Sequence, residues 1–274
     1  MNSDQSQENI QSLYTSDQII PFTEALSIPY FSQNMSICLG IIQYGSESDY
    51  YLYRGKDEDL YTVYVVDEKT NIEGIQSILN EELSFYPCIL GFSDENNLTS
   101  LWLKFQKGGT LTFHLRNIDF GREKLLKLIV SAIISVEQCC LIGMVFRKVD
   151  ETNICFNEHG QFCFMDTSFI LHVRRHTYDE DLHNKNARKA FKMLRILFEQ
   201  IFRFYIGSEE KRYFSELIES LGENDYDFYR TKEIDILESI DFDEAENKRL
   251  RVLEESDIKL YWEHLTTKYG IKII

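Results

Sequence analysis

The chain has 274 residues, 43% of them hydrophobic and 14% aromatic, a composition typical of a folded globular protein with a packed core. Its 45 acidic and 29 basic residues give a net charge of −16, which opposes binding to nucleic acid and to anionic membrane surfaces. The polar first residues do not resemble a signal peptide, and the longest apolar run, near residues 125–136, is too short to span a bilayer. We therefore expect a cytoplasmic protein, with the nucleus also open, that binds neither nucleic acid nor membrane.

The first 105 residues are expected to form a small sheet that carries one helix. Residues 36–53 and 60–66 alternate apolar and polar side chains around the turn Gly55-Lys56-Asp57, which predicts a β-hairpin. Apolar residues recur at helical spacing over residues 72–83. Two further strands are predicted over residues 88–92 and 98–105, on either side of the turn Asp94-Glu95-Asn96-Asn97.

The rest of the chain is expected to be mainly helical. Long apolar-rich patterns predict helices over residues 123–140 and 187–206. Between them, short apolar runs over residues 143–149, 154–156 and 161–165 predict strands, with a hairpin turn at Asn157-Glu158-His159-Gly160. Amphipathic stretches predict further helices over residues 213–221, 234–240, 248–253 and 258–269.

The cysteines do not show the spacing of a metal site or of a disulfide framework. They lie in apolar segments without a C-x-x-C pair, and the histidines are equally scattered. We expect six buried, reduced thiols: Cys38, Cys88, Cys139, Cys140, Cys155 and Cys163.

The order of these elements resembles the protein-kinase domain from about Cys38 to Ile206. The run Gly143 to Lys148 resembles the approach to the catalytic loop, with Phe-Arg-Lys where the family has His-Arg-Asp. Asn153 follows Lys148 by five positions, as the family's metal-binding Asn follows its catalytic Asp. Asp166-Thr167-Ser168 stands where the family has Asp-Phe-Gly.

Three more segments resemble family motifs in the same order: Leu39 to Gly45 the glycine-rich loop, Leu101 to Leu111 the strand and Gly-Gly hinge, and Lys189 to Ile201 the hydrophobic helix. The resemblance implies an α+β, two-lobed fold. A terminal extension over residues 1–35 would precede a small β-rich lobe with one helix over residues 36–107, and a mainly helical lobe would cover residues 108–274.

Kinases hold ATP through a glycine loop and a strand lysine, hold Mg²⁺ through an Asn and an Asp, and use a further Asp as catalytic base. Here Gly40 and Gly45 match the outer glycines, but Ile42 replaces the middle one and obstructs approach to phosphate. Tyr64 occupies the position of the strand lysine. The lysine's glutamate partner is not identified, because Glu73 is out of register and is read as a solvated residue.

The catalytic loop departs further from the family. Lys148 replaces the catalytic Asp and, while charged, cannot accept a proton. Asp150 is interpreted mainly as the partner of Lys148 in a reversed ion pair, with a relocated base as the alternative. Asn153 and Asp166 are retained, which leaves weak binding of Mg²⁺ or ATP open. Equally, Asn153 could bond only to loop backbone, and Asp166 could cap a turn.

The segment between Asp166 and Lys189 is short for a kinase, lacks Ala-Pro-Glu and contains the basic run at residues 172–176. That run could receive a phosphate or an acidic peptide, or it could pair with the acidic residues 179–181.

We therefore expect a catalytically inactive kinase-like domain, a pseudokinase, that scaffolds or regulates protein partners such as an active kinase and needs no cofactor. One alternative is an atypical active kinase in which Lys56 or Lys69 supplies the missing cation. The other is an unrelated α+β interaction protein.

Overall fold

A computed structural model of the protein describes an α+β fold with small antiparallel sheets and several helices. None of the helices in the described part of the chain is long and apolar enough to cross a membrane. The structure describes residues 20–21, 35–44, 49–66, 89–95, 98–141, 144–146, 149–164, 170–172, 180–206, 208–222 and 250–271.

The chain divides into two compact units, each with its own sheet or sheets. The first contains Met1–Thr70, Pro87–Phe105 and Trp262–Ile274, and the second contains Asn71–Tyr86 and Gln106–Tyr261.

A six-stranded antiparallel sheet forms the first unit, in the order β1-β2-β3-β4-β6-β5. Its strands are β1 (Ile20–Pro21), β2 (Met35–Tyr44), β3 (Asp49–Gly55), β4 (Leu60–Val66), β5 (Ile89–Glu95) and β6 (Leu98–Lys104). Aromatic residues dominate its core: Tyr53 and Trp102 are completely buried, with ring centroids 5.5 Å apart. Large rings suit a pleated sheet because they bury much apolar area at little cost in rotamer entropy.

The predicted hairpin is confirmed between β3 and β4. Its turn is closed by Gly55 N–H donating to Asp59 O at 2.8 Å. The Tyr61 hydroxyl donates to the Asp57 carboxylate, and this bond, reinforced by burial, raises the pKa of Tyr61 to about 12. The single run predicted over residues 36–53 is corrected, because the chain divides there into β2 and β3, which pair with each other.

The described residues of the second unit form two short sheets and four α-helices, with part of a fifth helix. Its elements are β7 (Gly109–Thr110), α1 (Leu111–Asn117), α2 (Arg122–Leu141), β8 (Met144–Phe146), a 3₁₀ helix (Glu151–Asn153), β9 (Ile154–Phe156), β10 (Phe162–Phe164), β11 (Ile170–His172), α3 (Glu180–Phe204), α4 (Ser208–Ser220) and the start of α5 (Glu255–Tyr269). The sheets have the orders β10-β9-β7 and β11-β8.

The two long predicted helices are confirmed as α2 and α3, which pack against each other. On α3 the buried side chains recur every three or four residues, and they include Ala190, Leu194, Leu197 and Ile201. This period places them on one face of the helix. The helix starts at Glu180, earlier than predicted, since the polar first turns carry no apolar period to reveal them.

Residues 248–253 were predicted as helical, and this is wrong for the described part from Leu250 onward. Arg251 forms an isolated bridge with Gln161, and the N–H groups of Val252 and Leu253 both donate to Gly160 O. Backbone groups that are held by another segment cannot form a helical ladder. The sequence analysis also missed helix α1, whose first turn is capped by Thr110 Oγ1 accepting from Phe113 N.

Five of the predicted thiols are confirmed as buried: Cys38, Cys139, Cys140, Cys155 and Cys163. Burial raises the pKa of Cys140 to about 12 and that of Cys155 well above its usual value, so both are inert as nucleophiles at neutral pH. Cys88 and the helices predicted over residues 72–83 and 234–240 lie outside the described residues.

Candidate functional site

The glycine pair Gly108-Gly109 precedes α1 and is tied to the β9-β10 hairpin. Gly108 N–H donates to Phe156 O at 2.9 Å, and Gly109 N–H donates to Gln106 O at 3.1 Å. A Cβ at Gly108 would lie 2.2 Å from the carbonyl oxygen of Asn157. Gly109 has φ of +89°, and a Cβ there would meet the Tyr261 ring at 2.6 Å. Both positions therefore require glycine for close approach of the backbone.

His114, on α1, forms a hydrogen bond with the backbone of the glycine pair. Its side chain is completely buried, and Nε2 lies 2.7 Å from Gly108 O. A carbonyl oxygen can only accept, so Nε2 carries the proton and Nδ1 is the unprotonated nitrogen. No hydrogen-bond donor reaches Nδ1 among the described residues.

Aromatic rings surround His114. The centroids of Phe113, Phe156 and Tyr261 lie 5.2, 5.7 and 6.0 Å from the imidazole centroid. Burial in this cage lowers the pKa of His114, although the bond to Gly108 O and the charge of Asp257 oppose the shift. His114 and Tyr261 belong to no sequence motif, so the pattern of the chain does not predict them as site residues.

The loop that follows β8 contains Asp150 and Asn153, and the structure brings these two residues together. The Asp150 side chain accepts from Thr152 N–H at 2.8 Å and from the Thr152 hydroxyl. In return, Asn153 Oδ1 accepts from Asp150 N–H at 3.1 Å. This reciprocal pattern is a capping box, and it closes the 3₁₀ turn at Glu151–Asn153.

Asn153 is 5% exposed, so its amide is part of the interior of this loop. Asp150 is partly buried, and its Oδ1 already accepts two hydrogen bonds from Thr152. The chemistry available to these two side chains is local: they satisfy backbone N–H groups that would otherwise lack a partner.

Strands β8 and β11 flank the segment in which the sequence predicts a degenerate catalytic loop. They pair antiparallel, with Phe146 opposite Ile170 and Met144 opposite His172. The chain that leaves β8 at Phe146 therefore returns beside it at Ile170. Lys148 and Asp166, two of the predicted site residues, lie between these strands in sequence but outside the described residues.

Gly40 belongs to the first unit, where it lies in β2 at an irregularity in the pairing with β3. Its φ is +143°, and a Cβ would lie 2.7 Å from Cε1 of Tyr269 on the last turn of α5. The glycine is thus required by the contact of β2 with the Tyr269 ring. Gly45, the other predicted phosphate-binding glycine, lies outside the described residues.

Tyr64, which matches the strand lysine, lies within β4, with Tyr50 and Leu101 as its cross-strand neighbours. Lys56, one of the two proposed substitute cations, lies in the turn after β3. Lys56 follows the last residue of β3, whereas Tyr50, the cross-strand neighbour of Tyr64, lies near the start of that strand, roughly 20 Å away at the rise of an extended chain. Lys69 lies outside the described residues.

Within the described ranges, no group of three or more His, Cys, Asp or Glu residues is arranged to hold a metal ion.

Comparison with known proteins does not identify a family. No protein-family model matches the chain, and no curated protein matches it.

Proposed function

We propose that this chain is a kinase-like domain that acts by binding other proteins, an active kinase among them, and does not transfer phosphate. The order of elements supports the resemblance: paired strands β2 to β4, the hairpin β5-β6, the glycine pair, the long helix α2, the loop after β8, the hairpin β9-β10 and the long helix α3.

The capping box of Asp150 and Asn153 carries the proposal. In an active kinase, the loop presents a carboxylate to the substrate hydroxyl and an amide to Mg²⁺. Here the Asp150 side chain accepts from the backbone N–H groups of Thr152 and Asn153. The Asn153 side chain accepts from the backbone N–H of Asp150, in the first turn of a 3₁₀ helix. Because the Asp150 carboxylate is bonded to its own loop, we interpret it as a residue that stabilises the loop and not as a relocated catalytic base.

Two further observations support an inactive cleft. Gly40 is accounted for by its contact with Tyr269, so its glycine does not require a phosphate ligand. Lys56 lies at the wrong end of β3 to replace the missing strand lysine, which counts against the atypical-kinase alternative. The proposal includes no required cofactor, with weak binding of ATP and Mg²⁺ as the alternative, and a cytoplasmic location, with the nucleus also open.

Substitutions of Asp150 separate the two roles of its carboxylate. Asparagine caps a helix about as well as aspartate, whereas alanine loses roughly 1 kcal/mol. We expect Asp150→Asn to melt like the wild type, Asp150→Ala to melt lower, and none of the three proteins to phosphorylate a generic substrate with Mg²⁺ or Mn²⁺. Magnesium-dependent transfer by the wild type that Asp150→Asn abolishes would overturn the proposal and identify a relocated base.

A further inference from the structure

The outer face of α3 carries a cluster of positive charge, although the protein as a whole has a net charge of −16. Six basic residues fall on the helix face opposite its buried stripe: Lys185, Arg188, Lys189, Lys192, Arg195 and Arg203. Two acidic residues of α3 share this face by helical spacing, Asp181 in the first turn and Glu199, and Glu199 binds Arg195 at 2.9 Å. We call this surface the basic face of α3.

Like charges spaced three or four residues apart on a helix repel each other and destabilise it. The sequence of α3 maintains five such cations between Lys185 and Arg195 with no acidic residue among them. Interspersing the two signs on an exposed helix would keep the surface soluble without this repulsion. A same-sign face therefore suggests an electrostatic partner of opposite charge.

A groove of about 400 Å³ lies between α3 and α4, at the C-terminal end of the basic face. Its wall is partly apolar, with Ile196, Phe202 and Ile218. The charged part of the wall carries three cations and two carboxylates: Arg195, Arg203, Lys211, Glu199 and Glu219. Ile196 is 54% exposed, which is high for a large aliphatic side chain. Neither Arg203 nor Lys211 forms an ion pair within the described residues.

We propose that the basic face of α3 and the adjoining groove bind an acidic, amphipathic segment of a partner protein. Carboxylates of the segment would lie along the cations, and one apolar side chain would enter the groove beside Ile196. The basic face is positive, whereas the rest of the protein carries a net negative charge. An acidic segment is therefore attracted to this face and repelled by the remaining surface. The apolar wall favours a peptide over nucleic acid, whose backbone the overall charge repels.

This inference rests on the proposed role in protein binding but not on the kinase resemblance. Nucleotide titration tests the resemblance, and peptide titration tests this surface, so the two can fail independently.

The test uses the full chain and a short fluorescein-labelled peptide in which Asp and Glu alternate with Leu and Phe. Binding is measured by fluorescence anisotropy at physiological ionic strength. We expect saturable binding that weakens as salt is added, and a loss of affinity of about tenfold or more in Arg203→Glu/Lys211→Glu. These side chains are exposed or line the groove, so the variant should fold, and circular dichroism checks this.

The matched control is Lys107→Glu/Lys259→Glu, which makes the same change in net charge at exposed positions away from the groove. It should retain wild-type affinity to within about twofold. If both variants lose affinity equally, the effect comes from net charge and the proposal is wrong. It is also overturned if the acidic peptide does not bind, if a peptide with Asn and Gln in place of Asp and Glu binds equally well, or if a single-stranded oligonucleotide competes for the face. The neutral variant Arg203→Gln/Lys211→Gln tests the same surface should the charge reversal fail to fold, and it too should weaken binding.

Discussion

Replacing Gly109 by alanine should destabilise the second unit strongly. The backbone has φ of +89° at this position, and an alanine there costs about 1–2 kcal/mol. The added Cβ would lie 2.6–2.9 Å from three atoms of the Tyr261 ring, and such overpacking adds about 1–3 kcal/mol. Alanine also lowers the conformational entropy of the unfolded chain relative to glycine, which favours folding by roughly 0.5 kcal/mol and offsets part of this loss. We expect a net loss of about 3 kcal/mol, which lowers the melting temperature by roughly 6–12 °C for a protein of this size.

The assay is thermal unfolding followed by far-UV circular dichroism, which the helices of the second unit dominate. Gly121→Ala is the control, because a Cβ at Gly121 has no neighbour within 4 Å. We expect that variant to lose less than about 1 kcal/mol. Tyr261→Ala completes a double-mutant cycle with Gly109→Ala, and removal of the ring should make the alanine at position 109 less costly.

If Gly109→Ala melts together with Gly121→Ala, the close contact of the glycine pair with Tyr261 is wrong. If the cycle shows no coupling, the cost comes from the positive φ alone, and the ring does not explain the glycine.

Two further predictions concern the same unit. Burial lowers the pKa of His114 below its usual 6.5. As the pH falls, the unfolded state therefore binds the proton before the folded state does. The stability that the neutral imidazole contributes is present above pH 6.5 and is lost as the pH falls below that value. Melting curves from neutral pH to about pH 5 should fall more steeply for the wild type than for His114→Gln, and parallel curves would contradict this. Asp257→Asn removes the half-buried ion pair of Asp257 Oδ2 with Lys124 Nζ, 2.6 Å apart, and should cost about 2 kcal/mol in urea unfolding. Glu209→Gln removes the exposed pair with Arg122 and should cost less than about 1 kcal/mol, and equal losses would refute the role of burial.

Elements with a strong local pattern could be predicted from the sequence. The hairpin β3-β4 follows from alternation around Gly55-Lys56-Asp57, and helices α2 and α3 follow from long apolar periods. These patterns determine the structure because each element buries one face or stripe wherever it packs. The glycine pair could also be predicted as a break between segments, since two consecutive glycines favour neither helix nor strand.

Contacts between distant segments could not be predicted. Residues 250–253 have a helical pattern, but their N–H groups bond to Gly160, which only the folded chain brings near. His114 gave no signal, because a histidine on a short helix is common and its bond to Gly108 O depends on the path of the glycine pair. The capping box of Asp150 and Asn153 was open to two interpretations in sequence, and its bonds depend on the loop's conformation.

The most direct test of a kinase-like domain without nucleotide chemistry is a thermal-shift titration with ATP, with and without Mg²⁺ or Mn²⁺, on the wild type and Asp166→Ala. A ligand present at 100 times its Kd stabilises a folded protein by roughly 2.7 kcal/mol, which is readily visible in the melting temperature. We predict no metal-dependent rise in the melting temperature of either protein. A rise in the wild type that Asp166→Ala abolishes would contradict this account and show that the protein binds nucleotide through Asp166.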